Sequence, residues 1–310
     1  AGPDLILKDY ELSHQTINPG DEIETEITIQ NRGLEDLNND IQINISPLNE
    51  LVALDENSYV ISVLDSREMD EILLNTLVSE ETPNGTFTGV IVSLESESSY
   101  ERQDTIRLLV GQPELVFYDG FETGLSDWFV TGDWGLTDDA AVGSNALSDS
   151  PNSEYDPGQE SVAEYEFGMI PGFFIAPMVT YKAKWDIESN WDFVRFQANV
   201  GGDDWVSLEG QYTELGVGQA AQPAGEHGYD GTQEEWVDET IFLDQLGEVT
   251  IYGFRFIQTS DNYVEADGFT VDEFSILGIP GFQFGDFNLD NSVDIFDVVG
   301  IIDLILLEGI

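Results

Sequence analysis

The feature that most constrains the fold is a strict alternation of apolar and polar residues at period two. Residues 22–30 read Glu-Ile-Glu-Thr-Glu-Ile-Thr-Ile-Gln, and residues 40–45 repeat the alternation with Ile between Asp, Gln and Asn. Successive side chains of a strand point to opposite faces, so this pattern predicts strands with one buried face. The same pattern predicts further strands at 59–64, 86–92 and 105–110. About seven short strands in residues 1–112, with no helical periodicity of useful length, favour a small antiparallel β-sandwich.

Residues 113–279 are also rich in strand patterns but far more aromatic, and they contain all six Trp residues of the chain. Residues 111–113, Gly-Gln-Pro, form the predicted hinge before them. Strands are predicted at 173–185, 193–200, 205–208, 239–243, 249–258 and 268–277. The long Gly- and Asp-rich loops 137–161 and 209–235 separate these strands, and loops of such length are usually functional or metal-stabilised. We therefore predict a two-sheet jelly-roll β-sandwich for residues 113–279.

Residues 280–310 differ from both preceding regions, because an acidic loop there leads into a predicted helix. Oxygen-bearing side chains stand at positions 1, 3, 5, 9 and 12 of a twelve-residue frame. This is the order in which an EF-hand-type loop wraps a hard cation. Ser292 at position 7 would contribute its backbone carbonyl, while Asn291 holds position 6, where Gly is preferred. The predicted calcium ligands are Asp286, Asn288, Asp290, Ser292, Asp294 and Asp297.

This loop and its helix resemble a dockerin type I repeat from Gly285 to about Leu307. Dockerins carry two such repeats and this chain has one, so the resemblance implies a calcium loop rather than the paired module that binds cohesins. The helix at 298–307 is apolar nearly all round and is too short to span a bilayer. It is predicted either to pack back onto the chain or to dock on another extracellular protein.

Short stretches of the middle region carry a second resemblance. They are Asp119-Gly120-Phe121-Glu122, Leu147-Ser148-Asp149-Ser150-Pro151, Lys184-Trp185-Asp186-Ile187-Glu188 with Trp191-Asp192, Asp204-Trp205, and Asp267-Gly268-Phe269 with Asp272. Together and in this order they resemble the jelly-roll modules that follow the catalytic domains of secreted bacterial metallopeptidases of the immune inhibitor A and zinc-carboxypeptidase kinds. The resemblance implies an extracellular, non-catalytic sandwich that is often stabilised by calcium.

A second calcium site follows from that resemblance together with topology. The first and last strands of a jelly roll lie side by side, so Asp119 and Glu122 are expected to approach Asp267 and Asp272. Calcium prefers carboxylate oxygens of this kind. The alternative is that these are ordinary surface acids at strand ends. Calcium is the one cofactor that the sequence predicts.

The N-terminal region carries a looser resemblance in three short stretches. They are Pro3-Asp4-Leu5, Asn18-Pro19-Gly20-Asp21 and Asn31-Arg32-Gly33. The second is a turn in which Pro fixes φ and Gly takes a positive φ. The region resembles the Ig-like adhesion and spacer modules of bacterial and archaeal surface proteins, which implies an Ig-like spacer at 1–112.

The tryptophans allow two interpretations, since aromatic faces stack on sugar rings but also fill sandwich cores. Trp185, Trp191 and Trp205 sit in strand patterns and are predicted to be core residues. By contrast, three others border loops and are the candidates for a polysaccharide ligand. These candidates are Trp128, Trp134 and Trp236. Lys184 is predicted to neutralise a nearby acid such as Asp186.

Charge and composition exclude several classes of function. The chain carries 62 Asp and Glu against 9 Lys and Arg, a formal net charge of −53. Nucleic acids and anionic membranes would be repelled by such a surface. The absence of Cys excludes disulfides and thiolate metal sites, and no run approaches the ~18 apolar residues of a membrane span.

A catalytic role is not favoured by the residues available. His14 and His227 are the only histidines, they fall in different predicted domains, and neither H-E-x-x-H nor G-x-S-x-G occurs. We therefore predict a non-catalytic, calcium-binding accessory or adhesion region of a secreted or cell-surface protein, which positions or attaches a catalytic domain or assembles with a partner. The alternatives are a carbohydrate-binding module, a polysaccharide hydrolase or lyase, and a subunit of a cell-surface filament or lattice.

The acid excess predicts that stability depends on salt. Carboxylates spread over the whole chain repel one another, and dissolved ions screen that repulsion over about 10 Å at 0.1 M. We expect the melting temperature to rise with NaCl concentration when no chelator is present. A melting temperature that does not change between low and high salt would contradict this.

Overall fold

The computed structural model describes residues 4–37, 39–96, 100–166, 174–247 and 249–280, together with Ile295, Val298 and Val299. The chain divides into two compact units, residues 1–112 and 113–310. The predicted calcium loop 286–297 falls almost entirely outside the described residues, and so does most of the predicted helix 298–307. Ile295, Val298 and Val299 are themselves helical. In the described part of the chain, no helix has the length and hydropathy required to cross a bilayer.

The described residues of the first unit form eight strands. They are β1 (Leu5–Leu12), β2 (Glu22–Asn31), β3 (Ile41–Pro47), β4 (Val52–Leu54), β5 (Ser58–Ile61), β6 (Met69–Val78), β7 (Thr86–Ser96) and β8 (Tyr100–Val110). One sheet has the order β1-β2-β6-β4 and the other β5-β3-β7-β8, with antiparallel neighbours throughout. Alternate residues such as Ile23, Ile27, Ile41 and Ile43 enter the core between the sheets. This is the β-sandwich that the alternation predicts.

Strand β6 was not among the strands that the alternation predicted. Its burial alternates as in any half-buried strand, but Leu73 and Leu77 occupy outward positions and are 46% and 45% exposed. Because leucine occupies both the buried and the exposed face, the sequence of β6 does not alternate between apolar and polar residues. The turn before β2 forms as expected: the Asn18 amide N–H donates to the Asp21 carboxylate at 2.7 Å, and Gly20 has a φ of 86°.

The second unit contains thirteen strands in the described residues. They are β9 (Glu114–Asp119), β10 (Phe129–Val130), β11 (Gly135–Thr137), β12 (Ala146–Ser148), β13 (Glu160–Glu166), β14 (Phe174–Ile187), β15 (Phe193–Gly201), β16 (Asp204–Ser207), β17 (Glu214–Leu215), β18 (His227–Gly228), β19 (Gly231–Phe242), β20 (Gly253–Thr259) and β21 (Gly268–Pro280). A five-stranded sheet has the order β10-β13-β20-β15-β16. The facing sheet has the order β11-β12-β21-β14-β19, and β9 also pairs with β21. A two-stranded ribbon, β17-β18, and the 3₁₀ turn Leu243–Leu246 lie in the connections. The prediction of an all-β chain of sandwiches is confirmed.

Aromatic rings fill the space between the two sheets of the second unit. Phe256 stands among them, with the ring centroids of Phe196 at 4.8 Å and Tyr181 at 5.2 Å. Trp128 and Trp134 belong to the same core and are 5% and 4% exposed. Aromatic side chains bury a large apolar area each, so this cluster dominates the packing of the unit.

Candidate metal and ligand sites

Three carboxylates from two connections gather at one end of the second unit. Glu188 and Asp192 belong to the β14–β15 turn, and Asp261 follows β20. One carboxylate oxygen from each lies within 4.8 Å of the other two. Asp192 is fully buried, whereas Glu188 and Asp261 are partly buried. We refer to these three residues as the acidic cluster.

Backbone geometry positions the acidic cluster. The amide N–H of Asp192 donates to the Glu188 carbonyl at 3.1 Å, which closes a tight turn and brings the two side chains together. The Asp192 carboxylate then accepts from the amide of Asp261 at 2.6 Å and from the hydroxyl of Tyr155 at 2.7 Å. Tyr155 comes from the connection between β12 and β13 and is fully buried. Three separate segments therefore depend on Asp192 for their mutual position.

The electrostatics of the acidic cluster are unfavourable without a counter-charge. Burial raises the pKa of Asp192, although the hydrogen bonds from Asp261 and Tyr155 oppose the shift. Burial also raises the pKa of Glu188, and the neighbouring charges of Asp192 and Asp261 raise it further. The Glu188 Oε2 atom is buried and has no hydrogen-bond partner among the described residues. A cation bound among these oxygens would offset both the desolvation and the repulsion.

The dimensions of the acidic cluster suit a calcium ion. Two oxygens that ligate one Ca²⁺ at about 2.4 Å lie no more than about 5 Å apart, and the three carboxylates meet that condition. The sequence patterns did not predict this cluster. Its signal is the Glu-x-x-x-Asp spacing of residues 188–192 between two strand patterns, but nothing in the sequence places Asp261 beside them.

The structure brings together only some of the four residues predicted to form the second calcium site. β9 does pair with β21, and Asp119 lies opposite Phe274, two residues from Asp272. Asp267, however, precedes β21 and lies roughly 20 Å along the chain from Phe274. Asp119, Glu122 and Asp272 therefore lie near the end of the strand pair that Asp119 and Phe274 form, whereas Asp267 lies farther along the chain beyond that same end.

The acids near β9 already hold backbone amides. Glu122 Oε1 accepts from the amides of Ser144 and Asn145 at 2.6 and 2.9 Å, and Asp272 accepts from the amide of Val142 at 2.9 Å. Asp119 accepts from the indole N–H of Trp128 at 2.8 Å. These carboxylates fix the connection between β11 and β12 to the sheet, and a metal at this place stays a prediction.

The structure corrects the assignment of several tryptophans. Trp128 and Trp134, predicted to face a ligand, are buried because both rings pack against Phe256 in the core. Conversely, Trp191, predicted to be a core residue, lies in the β14–β15 turn between Glu188 and Asp192 and is 41% exposed. Trp205 is half-buried, with the Arg255 guanidinium 4.2 Å from its ring centroid. A sequence pattern places a Trp near a loop or a strand but does not specify which face of the sheet it occupies.

Trp185 is buried as predicted, whereas Trp236 is partly buried on β19. The Lys184 ammonium lies 5.3 Å from the Trp236 ring centroid and donates to Asp139, not to the nearby acids that the sequence suggested. A ligand role for Trp236 therefore stays a prediction.

A further buried acid, Asp149, follows β12. Its Oδ1 accepts from the amide of Phe269 at 2.9 Å and from the hydroxyl of Ser150 at 2.8 Å, and burial raises its pKa to about 7. A Cβ atom at position 268 would collide with this carboxylate, and Gly268 has a φ of 85°. Glycine is therefore required there by both space and backbone conformation.

Comparisons with known proteins assign no family. No protein-family model matches the chain, and no curated protein does. The resemblances to dockerin repeats and to immune inhibitor A modules accordingly stay predictions.

Solved structures that match include adhesin and carbohydrate-binding domains. The K3 cleaved adhesin domain of Lys-gingipain from Porphyromonas gingivalis W83 matches with a TM-score of 0.33 and 14% identity, covering 53% of this chain and 99% of that one. TmCBM27, a carbohydrate-binding module studied for mannan recognition, matches with a TM-score of 0.30 and 14% identity, covering 54% and 99%. SGBP-B, from a complex xyloglucan utilisation locus in Bacteroides uniformis, matches with a TM-score of 0.33 and 9% identity, covering 90% and 73%.

Proposed function

We propose that this chain is a non-catalytic, calcium-binding accessory or adhesion region of an extracellular protein. The observation that carries the proposal is the acidic cluster, in which one oxygen from each of three carboxylates lies within 4.8 Å of the other two. Calcium bound there would tie the β14–β15 turn to the segment after β20. Such a cation would stabilise the sandwich rather than perform chemistry.

The surroundings of the two histidines agree with a non-catalytic role. His14 Nδ1 lies 2.8 Å from the Ser13 hydroxyl on an exposed segment of the first unit. His227, in the second unit, lies 4.0 Å from a carboxylate oxygen of Glu209. The net charge of −53 further supports a protein that works in water rich in salt or divalent cations.

The loop 286–297 is proposed as a separate calcium site, with the ligands predicted from its spacing. The helix 298–307 is proposed either to pack within the chain or to dock on another extracellular protein. Asp119, Glu122 and Asp272 are also proposed as metal ligands. All three carboxylates accept backbone hydrogen bonds, so a cation there would share their oxygens with those amides.

Calcium is expected to raise the stability of the second unit, and Glu188→Gln is expected to weaken that effect. At a free calcium concentration about ten times Kd, binding to the native state alone would add about 1.4 kcal/mol. The measurement is thermal unfolding followed by Trp fluorescence in EDTA and in CaCl₂, with isothermal titration of Ca²⁺. Since all six Trp lie in the second unit, fluorescence reports that unit.

The variants are chosen to separate binding from folding. Glu188 Oε2 has no hydrogen-bond partner among the described residues, and Glu188→Gln removes one of three repelling charges. The melting temperature in EDTA should therefore be equal to or above that of the native protein, while calcium affinity falls about tenfold. The exposed Glu234→Gln serves as the matched control, and Asp290→Asn tests the C-terminal loop separately. Equal calcium affinity in native protein and Glu188→Gln would refute the cluster as a calcium site.

Carbohydrate binding is the second candidate function. It is favoured by the position of Trp205 and Arg255 on the outward face of the five-stranded sheet, where an aromatic ring and hydrogen-bonding side chains lie together. Retention on polysaccharide with no release of reducing ends would support it.

A further inference from the structure

One row of side chains crosses all five strands of the sheet β10-β13-β20-β15-β16. Register pairs Phe129 with Glu164, Glu164 with Arg255, Arg255 with Gln197, and Gln197 with Ser207. We refer to these five residues as the outer row. Four spacings between adjacent strands make it about 19 Å long.

The outer row faces away from the core. Residues adjacent to it along the strands, Ala163, Phe196, Phe254 and Phe256, all belong to the buried aromatic cluster. Side chains alternate between faces along a strand, so the outer row lies on the opposite face. Phe129 at one end is 64% exposed. At the other end Trp205 lies two residues before Ser207 on the edge strand β16.

Polar contacts fix the side chains at the β16 end. Arg255 donates from Nε to Gln197 Oε1 at 2.8 Å, and its guanidinium stacks on Trp205 with 4.2 Å between Cζ and the ring centroid. Gln197 donates to the Ser207 hydroxyl at 3.0 Å, and Ser207 donates to Glu226 at 2.5 Å. These contacts fix the orientations of the Arg255, Gln197 and Ser207 side chains. Ligand recognition requires side chains that are held in place in this way before the ligand binds.

One donor on this face has no partner. Arg195 lies on β15 two residues from Gln197, and its Nε is buried without a hydrogen-bond acceptor among the described residues. A buried guanidinium N–H normally donates to an acceptor, since a buried donor without a hydrogen bond costs about 1–3 kcal/mol. The Arg195 side chain as a whole is only partly buried, so it adds hydrogen-bonding capacity to this face.

We infer that this face binds a neutral polysaccharide, an inference that rests on the proposed attachment function. An apolar sugar face packs on Trp205 and Phe129, and the hydroxyls at the ring edge accept hydrogen bonds from the partly buried guanidinium groups of Arg255 and Arg195. Gln197 is 3% exposed and holds Arg255 in place rather than touching the ligand. The separation of the two aromatic residues suits an oligosaccharide rather than a single sugar.

The charges on this face favour a neutral polysaccharide over a charged one. The two guanidinium groups lie near carboxylates: Glu226 and Glu160 act on Arg195, and Glu164 acts on Arg255. The face therefore has no excess of positive charge to attract a polyanion. The chain as a whole, at −53, repels one.

The test is affinity electrophoresis of the whole chain in gels that contain glucomannan, xylan or hydroxyethylcellulose, with polygalacturonate as the charged comparison. We expect retardation by at least one neutral polysaccharide and about tenfold weaker binding for Trp205→Ala. Phe129→Ala should also weaken binding. It is the second variant because its ring is exposed and its loss should not disturb folding.

Two matched controls complete the design. Tyr263→Ala removes a loop aromatic that is 84% exposed, and it should bind as the native protein does. Trp236→Ala tests the other sheet. Binding that is lost with Trp236→Ala but kept with Trp205→Ala would overturn the inference, and so would retention by polygalacturonate alone or by no polysaccharide.

The outcomes also separate this inference from the proposed function. Calcium-dependent stability without retention by any polysaccharide would leave the proposed function standing. Release of reducing ends would show that the chain is catalytic, contrary to the proposed function.

Discussion

Replacing Phe256 by Ala is expected to lower the free energy of unfolding of the second unit by about 3–5 kcal/mol. The Phe256 ring lies within 6.4 Å of six other aromatic rings, which come from both sheets. Its removal would leave a cavity that these large, mutually packed rings cannot fill by small movements. The loss of apolar burial and of ring contacts therefore adds to the cost of the void.

Urea unfolding followed by Trp fluorescence measures this effect. Phe129→Ala is the matched control, since that ring is 64% exposed and its loss should change the unfolding free energy by less than about 0.5 kcal/mol. A cost below about 1 kcal/mol for Phe256→Ala would mean that the rings do not pack around this residue as described.

The second large effect is expected from Glu239, a carboxylate buried inside the second unit. It is 1% exposed, and Oε1 accepts from the amides of Gln211 and Thr240 at 2.7 and 2.8 Å. Oε2 accepts from the Tyr229 hydroxyl at 2.8 Å and from the amide of Tyr212 at 3.2 Å. Glu239 thus anchors the start of the connection between β16 and β19 to the sheet.

Burial raises the pKa of Glu239 to about 7, although the four hydrogen bonds favour the charged form. Between the ordinary pKa of about 4.5 and this value, the folded state binds more protons than the unfolded state. The free energy of unfolding should therefore fall as pH rises through that window and level off above about pH 7. The full effect of this one group is roughly 3 kcal/mol.

Urea unfolding at pH 5 to 8 and constant ionic strength tests the expectation. Glu239→Gln carries no titrating proton, so its unfolding free energy should vary less with pH than that of the native chain, whatever its absolute stability. Glu234→Gln, on the exposed part of β19, should keep the native slope. An identical pH slope in native protein and Glu239→Gln would contradict the raised pKa.

Prediction from sequence succeeded where local pattern and local structure coincide. The alternation at 22–30 corresponds to β2, in which Ile23, Ile27 and Ile29 are fully buried. Residues that alternate at period two lie on one face only when the backbone is a β-strand. It failed at β6, where leucines on the outward face hide the period. It also missed β9, whose burial does not alternate, and β13, whose buried positions hold the small residues Ser161 and Ala163.

The candidate sites were harder to predict because their members are distant in sequence. Glu188 and Asp192 are four residues apart, but Asp261 and Tyr155 reach them from other connections. Likewise Trp205 and Arg255 meet only because β15 lies between β16 and β20. In an acid-rich chain no single carboxylate is distinctive, so only the distances among them identify a cluster.

The all-β sandwich class, the turn at residues 18–21 and the strong negative charge could be read from the sequence, because each depends on neighbouring residues or on simple sums. Only the folded chain shows which tryptophans are buried, which acids gather within ligand distance, and which face of the sheet carries Trp205 beside Arg255. Those outcomes depend on strand order and register, which arise from pairing between segments far apart in the chain.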